Sequence, residues 1–282
     1  MKRNVLFAIV FLIGLAIFAY PIMSNVLATK EHHTIISERD EEILKLTKSE
    51  IKDLKDQAAA YNEKIINSTV PIEDPFAEES EGTTVTGYFN VLNIGESMGS
   101  LEIPKIDVKL PIYHGTGEKV LASGVGHLSN TSLPIGGKGT HAVMTGHRGL
   151  PSAKMFRNLD KLKVGDLFFI KSLDETLVYK VDQVSVVLPN EVELLGIEEG
   201  KDFATLITCE PYMINTHRML VRGERIGYRS ESEVMERLNE ENNMGMKKAF
   251  NPFGAIMIAL LIILAVSYLI YRKKVVKAQN EE

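Results

Sequence analysis

The 282-residue chain predicts a mainly β protein: a closed or nearly closed barrel, preceded by a helix and flanked by two membrane-spanning helices. Three observations predict it. Short apolar or alternating segments, separated by Gly, Pro, Asn and Asp clusters, recur from about residue 85 to 228. An apolar stripe at steps of three and four occupies residues 37–67. Two long runs near the ends, Asn4 to Thr29 and Ala249 to Tyr271, contain no charged residue. All 69 charged residues sit in the remaining 233 positions, so the near-neutral mean hydropathy hides a very polar middle between two apolar ends. A purely cytosolic globule and a polytopic transporter are both poor fits to that distribution.

The first element, 1–29, is an N-terminal anchor. The hydrocarbon core of a bilayer is about 30 Å thick and a helix rises about 1.5 Å per residue, so about 20 apolar residues span it. The run opens with Lys2 and Arg3, and basic flanks stay cytoplasmic. A cleaved signal peptide is the other reading of this segment. The apolar stretch from Val5 to Tyr20 is long for one, and no clean cleavage site follows. Either reading puts the middle of the chain outside the cell.

Residues 30–84 come next. Leu44, Thr47, Ile51, Leu54, Ala58, Tyr61 and Ile65 place one apolar face on a helix from Ser37 to Asn67, and this face is expected to dock on the following domain. A coiled-coil partner is the sharper alternative, but the stripe is short and imperfect. From 68 to 84, Pro71, Pro75 and Gly82 break the helix and five carboxylates make the loop acidic. Phe76 is the apolar bulk in its middle, and a local staple is the plain reading of it.

The barrel domain, 85–228, carries strand candidates at 142–145, 166–171, 176–187, 203–208 and 218–222. Another comes from the alternation of Ile106, Val108, Leu110 and Ile112 with Asp107, Lys109 and Pro111. A polar connector, 229–252, leads to the second span, 253–271, and a basic cytoplasmic tail, 272–282, with Arg272, Lys273, Lys274 and Lys277. Two spans with both ends inside agree with an outer catalytic or binding domain, although Lys247 and Lys248 weaken the charge contrast. Between the tails the chain carries 26 basic and 35 acidic residues, which argues against nucleic acid as a partner.

Common catalytic signatures are absent. There is no G-x-S-x-G and no H-E-x-x-H, and Gly136-Gly137-Lys138-Gly139 lacks the rest of a P-loop. The sole cysteine excludes an internal disulfide and any multi-Cys metal site. The acidic residues of 73–81 lack the spacing of a calcium loop, so no metal and no cofactor is expected. Cys209 itself closes the apolar run Phe203–Thr208 and precedes Glu210-Pro211, where a strand must end. A lone Cys is usually a small buried hydrophobe. Outside the cell, however, a spare thiol invites oxidation, so it asks for a reason.

A nucleophilic Cys needs a proton shuttle, which His supplies near neutral pH. His32 and His33 lie beside the membrane segment. His114, His127 and His141 fall in or near β-region turns, and His147 lies in Thr145-Gly146-His147-Arg148-Gly149 after a strand. Any single His is more often a satisfied structural residue. A cation is needed for charge developing on a carbonyl oxygen. Arg218 flanks the same short strand-turn-strand connection as Cys209, and Arg222 and Arg225 are its rivals.

At these residues the sequence resembles the sortase family, and within it the class C, pilus-assembling sortases of Gram-positive bacteria. The family's T-L-x-T-C stands as Thr205-Leu206-Ile207-Thr208-Cys209. Its histidine motif stands as Thr145-Gly146-His147-Arg148-Gly149-Leu150-Pro151, and its arginine lies within Asn215–Gly223. The resemblance implies an eight-stranded sortase-type β-barrel, with Cys209 as nucleophile, His147 as acid/base partner and Arg218 as the oxyanion-holding cation. Asp74-Pro75-Phe76 resembles the class C lid, in which Asp pairs with the catalytic Arg and an aromatic ring covers the Cys. Many members have Trp where this chain has Phe76, a smaller plug.

The implied activity is cysteine transpeptidation. An LPxTG-like sorting signal is cleaved between Thr and Gly through a thioacyl enzyme, which a pilin lysine resolves as an isopeptide bond. The implied partners are pilin or surface-protein precursors with a C-terminal sorting signal, a pilin lysine and the membrane. A sortase that anchors proteins to cell-wall precursor is an alternative, as is a non-catalytic, membrane-tethered scaffold barrel.

Overall fold

The structure is a computed structural model that describes residues 2–77, 84–150 and 153–227. The connector, the second apolar run at 253–271 and the basic tail lie outside the described residues, as do Glu78, Glu79 and Glu81 of the acidic loop.

Two helices lead into the barrel: α1 (Lys2–Lys45) and α2 (Lys48–Ile66). The strands are β1 (Gly99–Ile103), β2 (Val108–His114), β3 (Val125–His127), β4 (Thr140–Thr145), β5 (Leu167–Ser172), β6 (Glu175–Val187), β7 (Asp202–Glu210) and β8 (His217–Arg225), with a short helix α3 (Glu118–Ser123) between β2 and β3. They close into one eight-stranded barrel in the order β1-β2-β3-β4-β7-β8-β6-β5, with β5 returning to β1. Closure leaves no edge strand among the described residues to pair with another chain. Two neighbouring pairs are parallel, β2 with β3 and β4 with β7.

The interior holds Leu101, Ile103, Ile112, Met144, Phe168, Tyr179, Leu206 and Val221, all buried. The rings of Phe168 and Tyr179 stack at 5.4 Å. Val143, Ile207 and Leu220, alternate residues on β4, β7 and β8, build a second cluster with Leu128 and Leu195 from the connections, and Ile72 and Phe76 of the acidic loop pack against it.

Six of the eight strands fall where the sequence predicts them. β1 has no alternation to read, because Gly99, Ser100 and Leu101 are buried in succession. β3 is only three residues, too short for any period, and Gly126 sits there because a Cβ would lie 2.3 Å from the Gly115 carbonyl oxygen. The expected alternation from Ile106 starts late. Pro104–Ile106 is a 3-10 turn, Asp107 is left-handed at φ 51, and β2 begins at Val108.

The single helix expected over 37–67 is instead the end of α1 and the whole of α2. Thr47 breaks them apart with a capping box: its hydroxyl accepts from the Glu50 amide, while Glu50 accepts from the Thr47 amide at 2.7 Å. Leu44 therefore points away from the packed face and is 83% exposed. The docked face of α2 is Ala58, Tyr61, Asn62 and Ile65. Asn62 is buried but satisfied, donating to the Leu133 carbonyl and accepting from the Leu133 amide.

Helix α1 runs unbroken past residue 29. Its apolar part is long and apolar enough to cross a membrane. Its last turns dock on the barrel, where buried Arg39 donates to the carbonyls of Ser97 and Met98 and Asp40 pairs with Lys171 at 2.7 Å.

Candidate active site

Cys209 is the penultimate residue of β7 and Arg218 the second residue of β8, and they stand directly opposite in the antiparallel ladder. The parallel β4–β7 pair brings the histidine loop to the same end of the barrel. The Gly146 amide donates to the Ile207 carbonyl, and the Thr208 hydroxyl donates to the Gly146 carbonyl at 2.7 Å. The chain leaves β4 through Gly146 because a Cβ there would lie 2.8 Å from the Phe156 ring. Phe156 in turn donates its amide to the His147 carbonyl.

The acidic loop closes over this end. Both carboxylate oxygens of Asp74 accept from the Arg218 guanidinium, from Nε and Nη2, each at 2.7 Å. This planar fork orients both groups at once. The remaining arginine nitrogen, Nη1, donates to the carbonyls of Asn215 and His217. The Phe76 ring lies between the other two groups, 5.1 Å from the Arg218 guanidinium carbon and 5.8 Å from the His147 ring centre. Asn130 ties both ends of the loop, donating to the Pro71 carbonyl and accepting from the Val85 amide.

Burial pushes the Cys209 thiol up, Arg218 opposes the rise and Asp74 adds to it. Burial pushes His147 down, with Glu118 partly offsetting. Burial also works against the Arg218 charge, but the hydrogen bonds of Asp74, with the charges of Cys209 and Asp74, outweigh it and the guanidinium stands above its ordinary value. The closed site therefore favours a neutral thiol and a neutral imidazole. His147 Nε2 has no hydrogen-bond partner among the described residues, with the exposed Glu118 carboxylate 3.6 Å away.

His147, Cys209, Arg218, Asp74 and Phe76 are thus brought to one place. The rival histidines and arginines are engaged elsewhere. His114 bonds the Val91 carbonyl, His127 the Tyr88 hydroxyl and the Ser132 carbonyl, and His141 the Gly196 carbonyl and Thr205. Arg222 pairs with Asp182 and Glu198 and stacks on Phe203, while Arg225 is 3.7 Å from Asp202. Three groups near the site were not legible in the sequence: Glu118, Arg148 and Glu210. Only the positions of Arg148 and Glu210, immediately after His147 and Cys209, could have drawn notice. Among the described residues no group of three or more His, Cys, Asp or Glu side chains is placed to hold a metal ion.

A closed eight-stranded barrel with Cys and Arg facing each other across β7–β8, and His delivered beside them by β4, defines a class, and comparison with known proteins agrees with it. A sortase-domain model matches residues 101–226. Sortase C1 of the group B streptococcal (GBS) pilus island 1 superimposes with a TM-score of 0.65 at 44% identity, over 70% of this chain and 93% of that one. Sortase C-1 from Streptococcus pneumoniae gives 0.64 at 50% identity, over 68% and 98%. Sortase A of Bacillus anthracis is 31% identical over 134 residues, 48% of this chain and 62% of that protein's length. The chain belongs to the sortase family of cysteine transpeptidases, and its structural neighbours are class C pilus sortases.

Proposed function

We propose that the protein is a membrane-anchored transpeptidase that joins pilin subunits. The thiol of Cys209 passes its proton to His147 and attacks the Thr carbonyl carbon of an LPxTG-like signal. The carbon–nitrogen bond breaks as the His147 imidazolium gives that proton to the leaving glycine amine. The thioester that remains keeps an activated acyl group. A pilin lysine amine attacks it and loses a proton to His147, the carbon–sulfur bond breaks, and His147 returns that proton to the sulfur, leaving an amide bond and a free Cys209 thiol. Arg218 would hold the carbonyl oxygen while its charge develops. For that, Asp74 must first release the guanidinium, because the same fork cannot hold a carboxylate and a substrate carbonyl together.

The observation that carries this reading is the loop itself: Asp74 forked onto Arg218 with Phe76 wedged against His147, beside the chain's one thiol. A carboxylate occupying the guanidinium and a ring excluding water suit an enzyme that waits for a substrate. The class C neighbours support the pilin substrate. The apolar part of α1 supports an anchor that leaves the barrel on the outer face, with a second span at 253–271 holding the other end.

The test is incubation of the full chain with a sorting-signal peptide and a lysine-bearing pilin fragment. The expected products are a released Gly-leaving peptide and an amide-linked conjugate, both lost in Cys209→Ala. Conjugation to a cell-wall-precursor amine but never to the lysine would favour an anchoring sortase. A Cys209→Ala chain as active as the parent would sink the enzyme reading.

A further inference from the structure

Between β4 and β7 the paired register ends at Thr145 opposite Ile207. One more backbone bond, Gly146 to Ile207, and the Thr208 hydroxyl on the Gly146 carbonyl extend the tie slightly. Beyond them the two chains carry His147 and Cys209 with no ladder between them. The next residues on each chain, Arg148 and Glu210, are ion-paired: Arg148 Nη1 donates to Glu210 Oε2. The same guanidinium reaches Asp160 on the following turn, with Nη2 3.3 Å from Oδ1. Arg148 is a buried charge, 7% exposed, and Glu210 is itself held to the barrel opposite His217 on β8.

We propose that Arg148 and Glu210 form a positioning brace for the site, setting the reach between the His147 imidazole and the Cys209 thiol; this rests on the transpeptidase reading above. Successive residues on a strand face opposite sides, so Glu210 points away from the side that presents Cys209. The brace therefore works from behind the reacting groups without entering the substrate path. The low-dielectric surroundings of Arg148 make the pair stiff, since separating the two charges there is costly. Arg148 also neutralises the carboxylate that stands next in sequence to the thiol, so the brace does not oppose thiolate formation.

The test uses the full chain with Arg148→Gln and Glu210→Gln. It reads kcat and KM for a sorting-signal peptide, thermal stability, and the pH profile of Cys209 labelling by iodoacetamide. Loss of positioning predicts a kcat fall of about 10- to 100-fold in both variants, because misplacement of about 1 Å can cost that much. KM should change little. Both labelling profiles should move to higher pH, as the thiolate loses the nearby His147 ring that can donate to it.

A pure charge effect would instead move the two profiles in opposite directions, up when Glu210 is left unneutralised and down when Arg148 is. Opposite shifts, or folded variants with kcat within about twofold of the parent, overturn the brace. Should the glutamine variants fail to fold, Glu210→Asp keeps the charge and shortens its reach. It should lower kcat about 3- to 10-fold and move the profile to higher pH as in the glutamine variants, and an unchanged kcat overturns the proposal. A parent that turns over no peptide speaks against the transpeptidase, while the labelling profiles still report on the brace.

Discussion

At the scale of single residues the site is a competition for one guanidinium. Arg218 makes its two strongest bonds to Asp74, and Asp74 in turn helps keep the Cys209 thiol protonated. Removing that carboxylate charge takes away a group that raises the thiol and frees one that lowers it. Asp74→Asn should therefore shift the labelling profile of Cys209 to lower pH and speed labelling at neutral pH by at least about threefold. An unmoved profile would show that the loop does not govern the thiol. Arg218→Lys replaces a planar fork by a point charge. It should lower kcat about 100-fold, the usual cost of losing a donor to the developing oxyanion, as read from peptide turnover in chains of unchanged melting temperature.

Whole elements carry the next set of consequences. Helix α2 is held down by a buried amide as well as by its apolar face, since Asn62 satisfies both backbone groups of Leu133. Asn62→Ala leaves those groups buried without partners and should cost about 1–3 kcal/mol in denaturant unfolding. The β4 exit is held by Gly146 against Phe156. Gly146→Ala must displace the ring of Phe156, whose backbone amide donates to the His147 carbonyl, so activity should fall together with stability, by about 1–3 kcal/mol for overpacking.

The same scale shows what a sequence does not display. The stripe from Leu44 to Ile65 is continuous in period, yet Thr47 ends one helix and caps the next, because a hydroxyl three residues before Glu50 satisfies the orphan amides better than an added turn does. β1 and β3 escape notice because burial on both faces and a length of three residues leave no periodicity.

For the whole molecule the buried histidines set a pH limit. Burial pushes His127 down to about 4, and His114 and His141 are also held below their ordinary value. The unfolded chain takes up these protons near the ordinary value of about 6.5 while the folded chain resists. The stabilising contribution is thus fully present above about pH 6.5 and is lost as pH falls toward about 4. Unfolding by urea should need less denaturant at pH 5 than at pH 7, with the difference reduced in a folded His127→Gln chain. Equal midpoints at the two pH values would contradict it.

The sequence alone determined the elements whose signal is local. The apolar ends, six strands and the T-L-x-T-C, histidine and arginine motifs depend only on residue type and near spacing, so they are legible along the chain. Residue type alone left seven histidines and three neighbouring arginines open, and the family resemblance pointed to His147 and Arg218; only the tertiary structure brought these two beside Cys209. It did so by laying β4 parallel to β7 and β8 antiparallel to it, which no local pattern encodes. The Asp74–Arg218 pair is the furthest case, its partners 144 positions apart along the chain. The loop that carries Asp74 is tied at both ends by Asn130 and packs Ile72 and Phe76 on the barrel, and this makes the two neighbours, because separation in space is set by tertiary packing and not by distance along the chain.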